Sequence, residues 1–323
     1  MDISIIIPTY NRSELVQYTL DSVRQEHHPG VTLEVIVVDD HSTDNTRAVV
    51  SANYPSVRLL TTDGKGAPAA RNTGLQAATG KYILYLDSDD LIGENYFSKK
   101  VGFLNDHPQY QACYGDYDYF ESNDGSYLDR ISFKHKYPDV NTASPINEHL
   151  KNYLMGQFLP PNTIIWRRDF LLSFKAHDLS LEISQDVDLF INAVFNGLQI
   201  AKLSDGTKTY IRNHQLDARV GDPASSKRKY EQVLAHRAGL YEKLQQYGFT
   251  DKAYLRAMSL YFFRYWRILR HTEPELADRF LDMAKKIYWP IQLDGGGPFK
   301  LVSKLFGPVA AVKLKYLMFN RDI

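Results

Sequence analysis

The stretch YLDSDD at residues 85–90 brings three carboxylates, Asp87, Asp89 and Asp90, to the end of the apolar run KYILYL. Like charges this close repel one another unless a cation or solvent relieves them. Residues two apart in a regular strand point the same way, so Asp87 and Asp89 would share a face. Such a pair suits Mg²⁺ or Mn²⁺, which take oxygen ligands from one or two carboxylates and keep positions for water and phosphate. For an isolated DSDD, a solvated acidic turn or a helix cap is the alternative. A second acidic pair, Asp39-Asp40, closes the run LEVIVV, and Asp186 stands near the start of the helical pattern ISQDVDLFINAVFNG. Read alone, a carboxylate there is a helix cap.

These groups must be carried to one place by the elements that precede them. Over the first 90 residues the pattern alternates. ISIII (3–7), LEVIVV (33–38), VRLLTT (57–62) and KYILYL (81–86) read as strands. Between them, 13–25 has helical spacing with Ser13 as N-cap, a helix begins at Ser42-Thr43, and 67–80 is a helix closed by Gly80. Near-continuous apolar strands alternating with helices predict a parallel sheet covered on both faces. The polar segments PTYNR, DDHSTD, DGKG and DSDD then fall at the carboxyl ends of the strands, where such sheets bind ligands. Neither GxGxxG after the first strand nor GxxxxGK[ST] is present.

Beyond residue 90 the rhythm changes. GENYFSKKVGFLNDHP predicts a helix, and YQACYGDYDYFES with SYLDRISF predicts antiparallel strands turned at Asn123-Asp124-Gly125. NTIIWRRDFLLSF predicts a strand entering a short helix, and LQIAKLSDGTKTYIRNH a hairpin or two short strands. From about Ala224 the pattern is helical, with candidates at 225–247, 251–271 and 274–288, then a break at DGGGP. The division is an α/β part over 1–220 and a helical extension over 224–323.

Composition bounds the function classes. Lys+Arg and Asp+Glu are both 38, so no general nucleic-acid footprint is indicated. A single cysteine, Cys113, rules out an internal disulfide and suits a reducing compartment; it reads as a small buried residue. MDISIIIPTY lacks the basic start of a signal peptide, and no apolar run is long enough to cross a bilayer. The expected location is therefore the cytoplasm.

Taken in order, IIIPTYNR, EVIVVDDHSTDNT, GKGAPAARNTGLQAATGKYILYLDSDD and SQDVDLF resemble a family 2 glycosyltransferase with a GT-A fold, over roughly residues 2–215. The resemblance implies a Rossmann-like, mixed and mainly parallel sheet flanked by helices. It also implies inverting transfer from a nucleotide-sugar, usually a UDP-sugar, with Mn²⁺ or Mg²⁺. Residue by residue, Pro8, Thr9 and Tyr10 match the loop that lines the nucleotide pocket, with Asn11 and Arg12 completing the motif. Asp40 matches the carboxylate that accepts the N3–H of uracil, a role open to a group with acceptors only. Lys65, Arg71 and Asn72 lie in the segment approaching the nucleotide; Arg71 would meet the diphosphate or pair with the aspartates. Asp87 matches the residue on ribose or sugar hydroxyls, Asp89 the metal ligand and Asp186 the base, while Asp90 is left between no assigned role and a cap for the next helix. Many relatives have Glu-Asp where this chain has Gln185-Asp186. His214 matches a metal or diphosphate contact of some relatives, with an ordinary polar role as the alternative. Trp166 would stack on acceptor sugar or fill the core.

The implied partners are a UDP-sugar or other nucleotide-sugar and a glycan or lipid-linked acceptor, in surface polysaccharide or glycolipid assembly. The basic, apolar tail FKLVSKLFGPVAAVKLKYLMF and the arginines of YFFRYWRILR leave three readings open. They are helices packed on the protein, peripheral contact at the inner face of the cell membrane, and a homo-oligomer contact. Two rival functions remain beside transfer, a sugar-nucleotide pyrophosphorylase and a non-catalytic nucleotide- or glycan-binding module. The first would want a Gly-rich basic loop where PTYNR stands.

Overall fold

All seven residues of the first strand, Ile3–Thr9, are buried, as an apolar run covered on both faces requires. The computed structural model to which it belongs describes residues 1–26, 28–120, 146–157, 159–181, 183–204, 206–212, 223–290 and 297–319. The described chain divides into two units, Met1–Asn147 with Phe158–Gly221, and Glu148–Gln157 with Asp222–Ile323. Residues Glu148–Gln157 join the helical unit, although the sequence pattern groups them with the α/β part.

In chain order the α/β unit runs β1 (Ile3–Thr9), α1 (Leu15–Gln25), β2 (Leu33–Asp39), α2 (Thr46–Asn53), β3 (Arg58–Thr61), α3 (Ala67–Ala77), β4 (Tyr82–Tyr85), β5 (Leu91–Ile92) and α4 (Tyr96–Asp106). It continues with β6 (Ala112–Tyr114) and β7 (Asp116–Phe120). After α5 (Ile146–Leu154), most of which belongs to the other unit, come β8 (Ile164–Arg167), α6 (Arg168–Leu172), α7 (Gln185–Phe195), β9 (Ile200–Lys202) and β10 (Lys208–Arg212).

The main sheet has the order β3-β2-β1-β4-β8-β6-β9. The pairs from β3 to β4 are parallel; β8 runs antiparallel to both β4 and β6. Strand order reverses at β1, whose neighbours β2 and β4 lie on opposite sides. The loops leaving β1 and β4 therefore diverge there and open a crevice at their carboxyl ends. A second sheet, β5-β10-β7, carries the chain just past Asp90. Its strands have only two to five residues, and β7 pairs with β10 in parallel, while SYLDRISF, the antiparallel partner expected from sequence, lies outside the described residues. The turn expected at 123–125 lies outside the described residues.

Two helix ends differ from expectation for physical reasons. Ser13 does not cap α1: the cap position is Glu14, which makes no side-chain cap hydrogen bond, and Ser13 stands one residue earlier with its N–H donating to Asp44 Oδ2 at 3.1 Å. Helix α3 ends at Ala77, before Gly80. Gly80 serves a close approach instead: its N–H donates to Ser4 Oγ at 2.8 Å, and a Cβ there would sit 2.5 Å from the Ser4 nitrogen.

The same junction contains a half-buried acid. Glu34 accepts hydrogen bonds from Ser4 Oγ, from the Thr79 N–H at 2.8 Å and from Thr79 Oγ1 at 3.0 Å, with Arg58 at 3.5 Å. Burial alone would raise its pKa, but these hydrogen bonds and Arg58 outweigh it and hold the carboxyl below its usual range. A depressed acid contributes stability in full above its unfolded pKa, about 4.3, and loses it as pH falls through the folded value. Melting of wild type and Glu34→Gln between pH 7 and 3 should show the gap between them closing at the acid end. A gap that stays constant with pH would remove Glu34 from the acid response.

The helical unit contains α8 (Pro223–Gln246), α9 (Lys252–Leu269), α10 (Pro274–Ile287) and α11 (Gly297–Phe319), with Glu148–Gln157. The apolar face of YFFRYWRILR is core: Phe262 and Tyr265 meet Phe280 of α10, and Ser259 Oγ donates to the Ala284 carbonyl at 2.9 Å. Buried Arg237 of α8 lies 4.1 Å over the Tyr261 ring and donates to the Tyr153 carbonyl at 3.0 Å, which ties Glu148–Gln157 to this unit.

Candidate active site

A cavity of about 300 Å³ opens at the β1/β4 crevice, lined by Pro8, Thr9, Tyr10, Arg12, Asp40, Ala67, Ala70, Asp87, Ser88 and Asp89. The wall formed by the loop after β1 is held from outside. Asn11, at φ 50, accepts from the Thr43 N–H through its side chain at 2.8 Å, while its own N–H donates to Ser42 Oγ at 2.9 Å. The Arg12 N–H donates to Thr46 Oγ1 at 2.9 Å. Asn tolerates the left-handed region better than most residues, which suits it to this bend. HSTDNT thus serves less as a helix start than as the strap that fixes PTYNR.

Asp39 and Asp40 take different jobs. Asp39 is buried in the framework, accepting from the Ser42 N–H at 3.1 Å. Asp40 is on the cavity wall. Its Oδ2 accepts from the Gly66 N–H at 2.7 Å, fastening the loop before α3, while its Oδ1 is buried with no hydrogen-bond partner among the described residues. Thr9 Oγ1 is buried and unpartnered as well. A buried acceptor left unpaired costs roughly 1–3 kcal/mol, so this wall is built to receive a donor.

The three acids of DSDD separate. Asp89 lines the cavity with Arg12 Nε 4.0 Å from its Oδ2, and Arg212 Nε donates to its backbone carbonyl at 3.1 Å. Asp90 turns inward and is buried, accepting from Asn162 Nδ2 and from the Arg212 N–H, both at 2.8 Å. Burial, then the charges of Asp89 and Asp87, push its pKa far above the usual carboxylate range. It is a latch between the end of β4 and β10, not a cap for α4. Glu26 does that capping from a distance, accepting from the Phe97 N–H at 3.1 Å. Arg212, Asn162 and Gly66 were not legible as site residues, because each meets an aspartate far from it in sequence.

Asp87 is tied to Arg71, whose Nη2 donates to Asp87 Oδ1 at 2.9 Å. Arg71 Nη1 lies 3.5 Å from Asp186 Oδ1 and donates to Gln185 Oε1 at 3.3 Å. The guanidinium is buried, and burial alone would lower its pKa; the charges of Asp186 and Asp87 reverse that and raise it. For Asp87, withdrawal from bulk water raises the pKa, Asp186 and Asp89 add to the rise, and Arg71 opposes it. Of the two roles open to Arg71, the one seen is the ion pair with aspartates. Asp186 sits in the first turn of α7, where no side chain caps the helix. Asp188 is buried and accepts from Asn192 Nδ2 at 2.8 Å.

Behind Arg71 the interior is polar. His177 and Tyr85 meet edge to face at 4.9 Å between ring centroids. Burial first, then Arg71, push the His177 pKa down to about 3, so the ring is neutral. Lys65 is exposed and is not a wall of the cavity; Asn72 donates to the His177 carbonyl at 3.1 Å. Trp166 is fully buried in β8 and Cys113 in β6, so Trp166 belongs to the core and cannot stack on an acceptor. His214 lies outside the described residues. A larger cavity, about 580 Å³, lies beside β5 and β10, but Glu26 and Lys208 on its wall are engaged in the framework, Lys208 with Asp118 at 2.7 Å.

Asp40, Asp87, Asp89 and Asp186 stand against Arg12 and Arg71. The acids outnumber the fixed cations, so a diphosphate would enter only with more positive charge. No group of three or more His, Cys, Asp or Glu gathers among the described residues to hold a metal unaided. A divalent ion held by one or two carboxylates and the oxygens of a bound diphosphate fits this donor set.

Residues 4–170 match the profile of Glycosyl transferase family 2. The chain belongs to that family. Among its relatives is TarS of Staphylococcus aureus, a poly(ribitol-phosphate) beta-N-acetylglucosaminyltransferase, 34% identical over 33% of this chain and 19% of TarS. Another is WfgD of Escherichia coli, a UDP-Glc:alpha-D-GlcNAc-diphosphoundecaprenol beta-1,3-glucosyltransferase, 34% identical over 38% of this chain and 47% of WfgD. The match thus spans about a fifth to a half of these relatives' length. Crystallised TarS 1–349 in complex with UDP-GlcNAc superposes with TM-score 0.64 at 19% identity, covering 99% of this chain and 93% of that one. The mannosyltransferase PcManGT of Pyrobaculum calidifontis, in complex with GDP-Man and Mn²⁺, gives TM-score 0.53 at 16% identity, covering 99% and 88%. The fold of this family 2 chain is therefore GT-A, a mixed and mainly parallel sheet flanked by helices.

Proposed function

We propose that this chain transfers a sugar from a UDP-sugar to a hydroxyl of a glycan or lipid-linked acceptor, with inversion at the anomeric carbon, in surface polysaccharide assembly. The observation that carries the reading is Asp40 on the cavity wall, with one oxygen spent on Gly66 and the other buried with no hydrogen-bond partner among the described residues. Uracil N3–H is a donor that a carboxylate can satisfy, whereas the corresponding ring nitrogen of cytosine is an acceptor. Tyr10, more than half exposed at the cavity, offers a ring for the base. Asp87 would accept from ribose or sugar hydroxyls, and Arg12, on the cavity wall, would meet the diphosphate. Asp89, with Asp87 beside it, would hold Mn²⁺ or Mg²⁺. Such an ion offsets the charge gathering on the leaving diphosphate. Asp186 takes the acceptor hydroxyl proton as the new C–O bond forms and the bond to UDP breaks on the opposite face. The names of the relatives support the setting: one acts on a poly(ribitol-phosphate), the other on a diphosphoundecaprenol-linked sugar.

Calorimetry with UDP tests this. Asp40→Ala should weaken UDP about 10–100-fold, the value of one hydrogen bond to a charged group. Asp89→Ala should abolish the part of the affinity that depends on Mn²⁺. Equal binding of UDP by wild type and Asp40→Ala, or a preference for CDP, would overturn the donor assignment.

A further inference from the structure

The C-terminal helix α11 has no part in the chemistry above. Gly307, at φ 84 with Pro308 behind it, breaks the helix in two. Before the break, Leu301, Leu305 and Phe306 are 57%, 64% and 71% exposed, and Phe306 is the most exposed large apolar side chain among the described residues. Leu301 and Leu305 are one turn apart on one side of the helix, and Phe306 follows beside the break, so this stretch exposes three large apolar side chains. Lys304 is exposed within it and Lys313 is exposed beyond the break. Ser303, Ala311 and Val312 are buried, so the helix also has a packed side and the stretch is not simply a frayed end. Between Asp294 and Asp322 the sequence has Lys300, Lys304, Lys313, Lys315 and Arg321 and no acid. No helix of the described residues is long and apolar enough to cross a membrane.

We propose that this face is an interfacial anchor for a bilayer containing anionic phospholipid. Leu301, Leu305 and Phe306 enter the boundary between headgroups and acyl chains, and the lysines meet lipid phosphates. Charge decides the occupant. A second copy of the segment would set exposed Lys304 and Lys313 against lysines, with no acid in the run to pair them, whereas an anionic surface neutralises both. The anchor does not depend on the transfer reaction. It would keep the enzyme on the surface where a lipid-linked acceptor resides.

Vesicle flotation of the full chain, with no donor present, tests the anchor. The protein should float with equimolar phosphatidylcholine and phosphatidylglycerol, stay behind with phosphatidylcholine alone, and release as salt rises. A Leu305→Ser/Phe306→Ser double variant, and separately Lys304→Glu/Lys313→Glu, should each lower the partition coefficient about tenfold or more with an unchanged melting temperature. A fluorophore on a Lys304→Cys variant reads the same contact without removing the three apolar side chains, and should shift to the blue on anionic vesicles only. The proposal fails if wild type does not float with anionic vesicles at low salt, if both double variants float as well as wild type, or if the fluorophore shows no shift. It also fails if light scattering finds a dimer that Leu305→Ser/Phe306→Ser turns to monomer, since the face would then be covered by a second copy.

Discussion

Asp186→Asn is expected to lower kcat for sugar transfer about 10²–10⁴-fold, the usual range for loss of a positioned general base. UDP affinity should stay close to that of wild type, because Asp186 is not a wall of the cavity that holds Asp40 and Asp89. The substitution is isosteric and keeps an oxygen facing Arg71, so the melting temperature should move little. In the proposed reaction, what is lost is a carboxylate that would take the hydroxyl proton while the bond to the leaving UDP breaks. Its surroundings hold the side chain in place. The first turn of α7 supplies backbone N–H groups and the positive end of the helix dipole, and Arg71 fixes the side chain from one side only. Transfer rates and UDP titrations on the same preparation separate the outcomes. Activity within tenfold of wild type would show that the proton goes elsewhere. A parallel loss of UDP binding would show that Asp186 shapes the donor site instead of serving the chemistry.

The strand-end logic was legible in sequence because its signals are local. Buried parallel strands are continuous apolar runs, and Ile3–Thr9 and Tyr82–Tyr85 are short, fully buried and followed within two residues by Asn11 and Asp87. The small sheet was not legible, since strands such as Leu91–Ile92 are too short to show a period, and the parallel partner of Asp116–Phe120 lies about 90 residues on. The same distance problem governs the acids. DSDD reads as one cluster in sequence, yet Asp89 faces the cavity while Asp90 is held inside by Asn162 and Arg212. Local sequence shows where charge accumulates; the far partner decides whether that charge stays available. Ser13 shows the same dependence, since the distant Asp44 holds its N–H and the helix starts one residue later, with Glu14 at the cap position.

Arg71→Met should cost both stability and activity, because one guanidinium serves two carboxylates with different proposed roles. Its side chain is only 6% exposed, whereas those of Asp87 and Asp186 are 38% and 32% exposed. Stripping one partner from a fully buried ion pair costs about 3–5 kcal/mol. Solvent reaches both acids here and takes up part of that penalty, so about 2 kcal/mol is the expected loss. Without Arg71 the two acids repel across the gap it filled, and Asp186 loses the group that sets its position. Arg71→Lys keeps the charge but not the fork, so one ammonium cannot reach Asp87, Asp186 and Gln185 together; it should recover more stability than activity. The decisive measurement is a double-mutant cycle. If Arg71 and Asp186 act as a unit, Arg71→Met in an Asp186→Asn background should cost clearly less stability than in wild type, and should add little to the loss of kcat. Strict additivity in both readouts would mean that the 3.5 Å approach of Arg71 to Asp186 carries no energy, and that the base is positioned by α7 alone.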